Sequence, residues 1–597
     1  MRYPRLNELP QSRSMTEVFG GYNHNPKIAD GEFYTTTNTS SRDYPLLAPR
    51  LRRSAGVSAT NPQGMLARDS LVYVDGATVY VNSYPVTGLV LSTSASMIPK
   101  RLYSMGAYIL ILPDKKWVNA SDLTEYGSTD QVNSLAGRIT YLPSRADGTD
   151  LEGTVYTQAS DPGVVADGSY WIDISSSKAA VLKRYSALSK VWTVIPTEYT
   201  RIEAIGIGTG LEVGDGIELS GIVRGDGTAE QKADLAKLNG FNTIVFASAN
   251  YIVITGMVSW VYIQDTTTGT PVVVSRAIPD MDFITEADNR LWGCKYGVVD
   301  GEAVNEIYAS AQGNFKNWRA YGPGSMDSYA ASVGTDGPFT GAITYLGRPL
   351  FFKENFLHKV YGSMPSNYQI ETVALRGVQE GSGNSLAIVN ETLFYKGRTD
   401  VMAYDGSLPI SVSSALGGEL YSNAAACAYK NLYYISMKDS SNAWHQFVLD
   451  VSKRIWHRED SLHVRQYAQV DDEIHAWLPD TTEFKRLLGT AGTKEAAVSW
   501  SATSGLIGYE SPDHKYVGRM DIRLRLDTGS TFALYIRYDS AGEWVLSGSA
   551  TGGTVVRTIM LPVRPRRCDH YEMKMEGTGE FRVYSIAKIY EQGGDGR

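Results

Sequence analysis

Cysteine is nearly absent. Cys294, Cys427 and Cys568 are the only three in 597 residues, widely spaced and odd in number, with no CxxC pair. That pattern excludes a disulfide framework and a zinc knuckle, and reads as three small buried apolar side chains. Charge is scarce too, at 20% of residues, and 56 Lys and Arg against 64 Asp and Glu leave a net charge of −8. A sequence-specific nucleic-acid binder carries a basic face, and this chain has no basic excess. No run of 18 apolar residues occurs, so no membrane-spanning helix is expected. Arg2 and Arg5 in the opening residues are followed by no apolar stretch, so no secretory leader is expected.

The motifs of common chemistries are missing as well. There is no GxSxG elbow, no GxxxxGK[ST] loop, no HExxH pair and no EF-hand pattern. The eight histidines are His24, His358, His445, His457, His463, His475, His514 and His570. Only His457 and His463 stand close in sequence, and no third ligand has a useful spacing. Gly206–Gly210 looks like a phosphate loop, but a strand pattern follows where a dinucleotide site needs a helix N-terminus. It reads as a turn. Turn carboxylates such as Asp147 and Asp150 read as turn formers rather than a calcium site; a glycosidase needs two carboxylates across a cleft, a pairing that sequence does not show, and no catalytic residue is assigned. The tryptophans, Trp117, Trp171, Trp292, Trp318, Trp444, Trp456 and Trp477 among them, recur at repeat positions and read as packing residues, with sugar stacking as the alternative. Arg564-Pro565-Arg566-Arg567 reads as a solvated strand edge.

What the chain does have is strand material: 43% hydrophobic residues, 38 Tyr and 58 Gly. Tyr, Thr and Val suit pleated, half-buried surfaces, and Gly suits tight turns. From residue 67 short strand pairs recur. Ser70–Val74 and Ala77–Val81 flank Asp75-Gly76, a type I′ hairpin signal. Later units repeat one theme, a turn, an apolar-aromatic strand, a turn and a second aromatic strand. Leu350, Leu393, Leu432 and Ile474 mark them at steps of about forty residues, the length of a propeller blade. A single four-stranded blade leaves its faces uncovered, so blades must stack radially.

The expected fold is therefore all-β: a β-propeller of six or seven degenerate blades, with an inserted small β module and a C-terminal β-sandwich. The boundaries read as an extended N-terminal arm at 1–66, first blades at 67–121, the inserted β region at 122–272, the remaining blades at 273–495 and the sandwich at 496–597. Within the insert, Thr228–Lys237 is the best helix candidate: Thr228 and Gln231 form a capping-box pair and Gly240 follows the end. In the arm, Tyr44, Pro45, Leu46, Leu47, Ala48, Pro49 and Arg50 make an apolar, proline-bounded segment. It cannot bury itself, and is expected to clamp a neighbouring subunit or another domain.

GRPLFFKENFLHKVYG at 347–362 and ETLFYKGRTDVMAYDG at 391–406 resemble the tail nozzle proteins of short-tailed phages. HNPKIADGEF at 24–33 and DYPLLAPR at 43–50 are similar to related tail proteins of phages that infect Gram-positive bacteria. VGDGIELSGIV at 213–223 resembles a small β module common in phage structural proteins, and GEFRVYSIAKIYEQG at 579–593 is similar to the closing strands of such chains. The resemblance implies a virion protein, assembled in the bacterial cytoplasm into a hexameric ring, without cofactor, metal or catalytic residues. It further implies contacts with an adaptor or tube and with fibres or spikes, and passage of phage DNA through the channel. Two alternatives stay open: a receptor-binding or baseplate protein that recognises host cell-wall glycan, and a propeller glycosidase.

Overall fold

In the computed structural model, residues 11–93, 99–176, 180–267, 270–322, 324–479, 481–490, 492–508, 515–562 and 566–592 are described. The opening decapeptide, with Arg2 and Arg5, lies outside them, as do Arg564, Pro565 and His514.

The chain is a β-propeller. Among the described residues seven four-stranded units follow one another around a ring, at 62–85, 101–128, 283–332, 341–374, 387–411 and 422–460, with the seventh at 466–488. We number them blades 1 to 7. Each is an antiparallel sheet. Asp288-Asn289 and Asn390-Glu391 both hold positive φ at two successive positions, as a type I′ hairpin requires.

Each blade buries its two faces against its neighbours, and seven interblade cores result. Val74, Leu102 and Ile109 pack between blades 1 and 2. Trp117 and Tyr308 meet between 2 and 3, Trp292 and Phe351 between 3 and 4, and Phe352 and Tyr395 between 4 and 5. Phe394 and Tyr433 fill the next gap, Tyr434 and Ile474 the one after it, and Met65, Tyr73 and Phe484 join blade 7 back to blade 1. The aromatic-rich repeat thus supplies one ring or more to nearly every gap.

The ring is closed by the N-terminal segment. Ser54–Ser58 pairs antiparallel with Glu483–Leu488 and supplies the outermost strand of blade 7. On the inner side, the Gln466 amide of blade 7 donates to the Met65 carbonyl of blade 1 at 2.6 Å and accepts from its N–H at 3.3 Å.

The expected extended arm at 1–66 is corrected here. Gln11–Thr16 pairs with Phe581–Gln592, and Glu32–Thr37 pairs with Ser499–Ser504, both within the C-terminal sandwich. Ser54–Ser58 belongs to blade 7, and Pro62–Ala67 is the inner strand of blade 1. Each of these strands is short. The partners of the first three lie at the far end of the chain, so no local pattern betrays them, whereas Pro62–Ala67 pairs with the adjacent Leu71–Asp75.

The insert runs from Gln131–Leu135 to Val272–Arg276, between blades 2 and 3. Asp122–Ser128, placed in the insert by the sequence, is instead the outer strand of blade 2. The entry and exit strands pair with each other, Gln131 opposite Arg276, so the insert stands on a two-strand stalk. An eight-stranded sheet curls around Ile139, Ile217 and Ile252, with the helix Ala229–Ala236 against it. Thr228 and Gln231 form the capping box. A smaller sheet at 155–194 rides on the module around Tyr170 and Leu182. The insert docks on a long loop of blade 3: Asn317 accepts from the Gly216 N–H at 3.0 Å and donates to the Gly214 carbonyl at 2.7 Å. A Cβ at Gly216 would lie 2.1 Å from the Arg319 carbonyl carbon, so the docking needs glycine there.

The C-terminal region is a sandwich folded from one long hairpin, Lys515–Tyr538 and Ala541–Pro562. The first strand serves both sheets. Its 515–526 half pairs with Phe581–Gln592 and its 531–538 half with Tyr571–Thr578. Ile522, Leu524, Phe532, Leu534, Met575 and Val583 fill the space between the two sheets, with Phe33 and Leu47 from the N-terminal segment among them.

Candidate functional site

The segment singled out in the sequence lies where propeller, sandwich and N-terminal strands converge. Leu47 forms an isolated bridge with Val583, and Leu47, Ala48, Pro49 and Arg50 are buried within this chain. Leu46 is half-buried. Tyr44 (38% exposed) and Pro45 face solvent, and the Lys453 ammonium stands 5.7 Å over the Tyr44 ring. The contacts seen are between domains of one chain, because four of the seven residues are spent on its own interior.

Ion pairs ring this junction. Arg42 binds Glu580, and Arg582 binds Asp43 at 2.8 Å, tying the N-terminal segment to the closing strands of the sandwich. Arg50 binds Glu495, whose carboxylate also accepts from the Arg53 N–H at 2.8 Å. Burial opposes the Glu495 charge, but the two arginines outweigh it and hold the carboxyl below the usual range. Arg53 reaches Glu459 at 2.9 Å and Asp460 at 2.5 Å, and is only 6% exposed. Burial works against its charge too, yet the two facing carboxylates raise its pKa. Arg53 immediately precedes the ring-closing strand, and Glu459 and Asp460 end blade 6. The cluster therefore pins the closure. No motif announces it, because the partners stand over four hundred residues apart in sequence.

The propeller axis is chemically quiet. Among the described residues the seven inner strands carry two charged side chains, Arg101 and Glu286. Arg101 donates to the Met281 and Asp282 carbonyls, and Glu286 is exposed. The Thr285 and Thr344 hydroxyls meet at 2.8 Å across blades 3 and 4. Titratable groups are buried away from the axis instead. Burial pushes the His358 and His457 imidazoles down to about 4. His358 sits between the Thr335 and Thr372 hydroxyls, each at 2.9 Å, and His457 contacts the Thr39 hydroxyl at 3.1 Å. Burial also lowers Lys396 to about 8, and its ammonium donates to the Gly397 carbonyl at 2.6 Å.

His463 stacks on Trp444 rather than joining His457. No group of three or more His, Cys, Asp or Glu able to hold a metal occurs among the described residues. Asp147 caps its own turn through Thr149, and Asp150 pairs with Arg201. All three cysteines are buried. Gly206–Gly210 is a turn in the insert, and the next element after it is the strand Gly216–Ser220. Arg566 lies over the Tyr538 ring, and Arg567 is exposed.

No family model matches the chain, and no curated protein matches it. Solved structures do. An exo-β-1,3-galactanase from Phanerochaete chrysosporium shares 8% identity over 51% of this chain and 94% of its own, at a TM-score of 0.21. An engineered GH43 glycoside hydrolase with endo-xylanase and exo-arabinofuranosidase activity shares 10% over 53% and 97%, at 0.20. Trypanosoma rangeli sialidase shares 10% over 98% and 97%, at 0.15. Scores of this size carry no argument about substrate or mechanism. The expectation that the chain is no enzyme is nevertheless corrected: glycoside hydrolases stand among the matching structures, and the sequence-based exclusion of catalysis is withdrawn.

Proposed function

We propose that this chain is a structural component of a bacteriophage tail, the nozzle or hub ring at its end. It would self-assemble as a hexamer and take part in the channel through which DNA leaves. The observation that carries the reading is the weave of the two chain ends. The N-terminal segment closes the propeller, supplies strands and core residues to the sandwich, and is pinned to both by ion pairs. A unit so tied resists relative movement of its parts, which suits a platform for tail fibres and an adaptor. The blade segments at 347–362 and 391–406 supply the resemblance that names the assembly.

The test is mass photometry and negative-stain microscopy of the full chain, alone and with isolated tails. A discrete hexameric ring, or one formed only on the tail, is the expected result. A monomer that never assembles and never joins tails would overturn the reading. Deleting residues 1–50 would confound the test, because it removes sandwich strands and Leu47. Tyr44→Ala is the cleaner probe of a subunit clamp. It is expected to weaken ring formation and leave the melting temperature unchanged.

A further inference from the structure

One face of the sandwich is turned to solvent and is not built as an ordinary wet face. Five strands cross it in the order Glu32–Thr37, Ser499–Ser504, Tyr571–Thr578, the second half of Lys515–Tyr538 and the first half of Ala541–Pro562. Their register lines up two rows of short side chains. One row runs Thr37, Ser501, Glu576, Ala533, Ser549. Beside it run Ser499, Thr578, Thr531 and Thr551. With about 4.8 Å between neighbouring strands, the longer row extends roughly 19 Å. Together the rows floor an open trough of about 630 Å³.

Seven of the nine floor residues are Ser or Thr, with Glu576 and Ala533 among them, so hydroxyls alternate with apolar methyl and backbone carbon surface. Thr531 and Thr578 touch at 3.0 Å, oxygen to oxygen. Further along the same strands lies an aromatic and charged margin. The Lys574 ammonium lies 4.7 Å from the Tyr535 ring centre and 5.6 Å from that of Trp544, and the Arg537 guanidinium lies 4.8 Å from Trp544. These charges are already matched: Lys574 with Glu576 at 3.0 Å, and Arg537 forked onto Glu572 at 2.6 and 2.9 Å. The margin therefore presents rings held in place by ion pairs, with no surplus charge of either sign.

We propose that this trough binds a linear, uncharged oligosaccharide, with its hydroxyls along the Ser and Thr rows and its apolar C–H faces toward Trp544 and Tyr535. Matched charges disfavour DNA or an acidic peptide, which would need a basic excess. The site is separate from the propeller axis and does not rest on the tail reading.

The experiment is calorimetric titration of the full chain with three neutral hexasaccharides, chitohexaose, cellohexaose and laminarihexaose. Thr531→Arg and Ser501→Arg, which block the floor from two strands, are titrated alongside, with Trp544→Ala on the exposed edge strand. At least one sugar is expected to bind, and each variant to weaken it about tenfold or more, which is about 1.4 kcal/mol. Thermal melts establish which variants are folded, and Trp544→Ala decides the matter should both arginine variants be destabilised. The proposal is overturned if no neutral hexasaccharide binds, or if folded variants bind like the parent. Ring assembly, scored by mass photometry on the same variants, is expected to be unchanged, so failure of the sugar site and failure of the tail reading are distinguishable.

Discussion

His457 faces Thr39 across the seam between blade 6 and the N-terminal strands, and is 4% exposed. An imidazole held near 4 in the folded chain, against about 6.5 when unfolded, costs stability only where the unfolded chain is protonated and the folded chain is not. Stability is therefore complete above about pH 6.5 and falls as the pH drops toward 4, by an order of a few kcal/mol for this one group. Asp173 and Asp439, held near 2, act in a lower window, from about 3.8 downward. Melting temperatures measured from pH 7 to 4 should fall, and His457→Gln should flatten that slope. An unchanged slope in the variant would show that His457 is not the titrating group. The same scale explains a glycine that the sequence shows without a reason. Gly216 lies in the run at 213–223, and its need for a bare Cα comes from blade 3, a separate element entirely.

At the scale of elements, the insert is a guest held at its neck. Gln131 and Arg276 are cross-strand partners, and such partners lie about 5 Å apart, so the ring does not need what lies between them. Replacing residues 136–271 with a two-residue type I′ turn should leave a folded propeller, checked by far-UV circular dichroism and a cooperative melt. Loss of all cooperative unfolding would mean that the insert is part of the ring's core. The elements legible in sequence are those whose cause is local. The hairpin at Asp75-Gly76 forms, but Asp75 pairs with Thr78 and only Gly76 in the turn holds a positive φ, so it is not the type I′ turn expected; Thr228 and Gln231 cap their helix through neighbouring N–H groups. The aromatic strands of blades 4 to 7 show their step because each blade solves the same burial problem. Ser54–Ser58 and Gln11–Thr16 were illegible, because a strand of five or six residues is specified by its partner, and the partners stand at the other end of the chain. The trough was illegible for a related reason. Ser501, Glu576, Ala533 and Ser549 are ordinary surface residues in sequence and become a row only through register.

At the scale of the whole molecule, the ring and the sandwich share one set of bolts. Arg53, Glu459 and Asp460 sit where the closing strand leaves the sandwich and enters blade 7. Removing one partner of a buried ion pair leaves the others uncompensated, at about 3–5 kcal/mol. Arg53→Ala should lower unfolding stability by that amount in chemical denaturation. A loss below about 1 kcal/mol, the range of a surface pair, would mean that the cluster is solvated and that closure rests on strand pairing alone.

The closing strand also sets a clock. Ser54–Ser58 is made early, and its partner Glu483–Leu488 leaves the ribosome only after more than four hundred further residues. At 5–20 residues per second, that is a delay on the order of tens of seconds, and Gln11–Thr16 waits longer still for Phe581–Gln592. Throughout that interval the nascent chain carries open strand edges at its N-terminal end while the blades are being laid down one by one. A product truncated before Glu483 can satisfy none of them. Completion of the last strand, rather than formation of any single blade, is the event that separates a finished molecule from an aggregation-prone fragment.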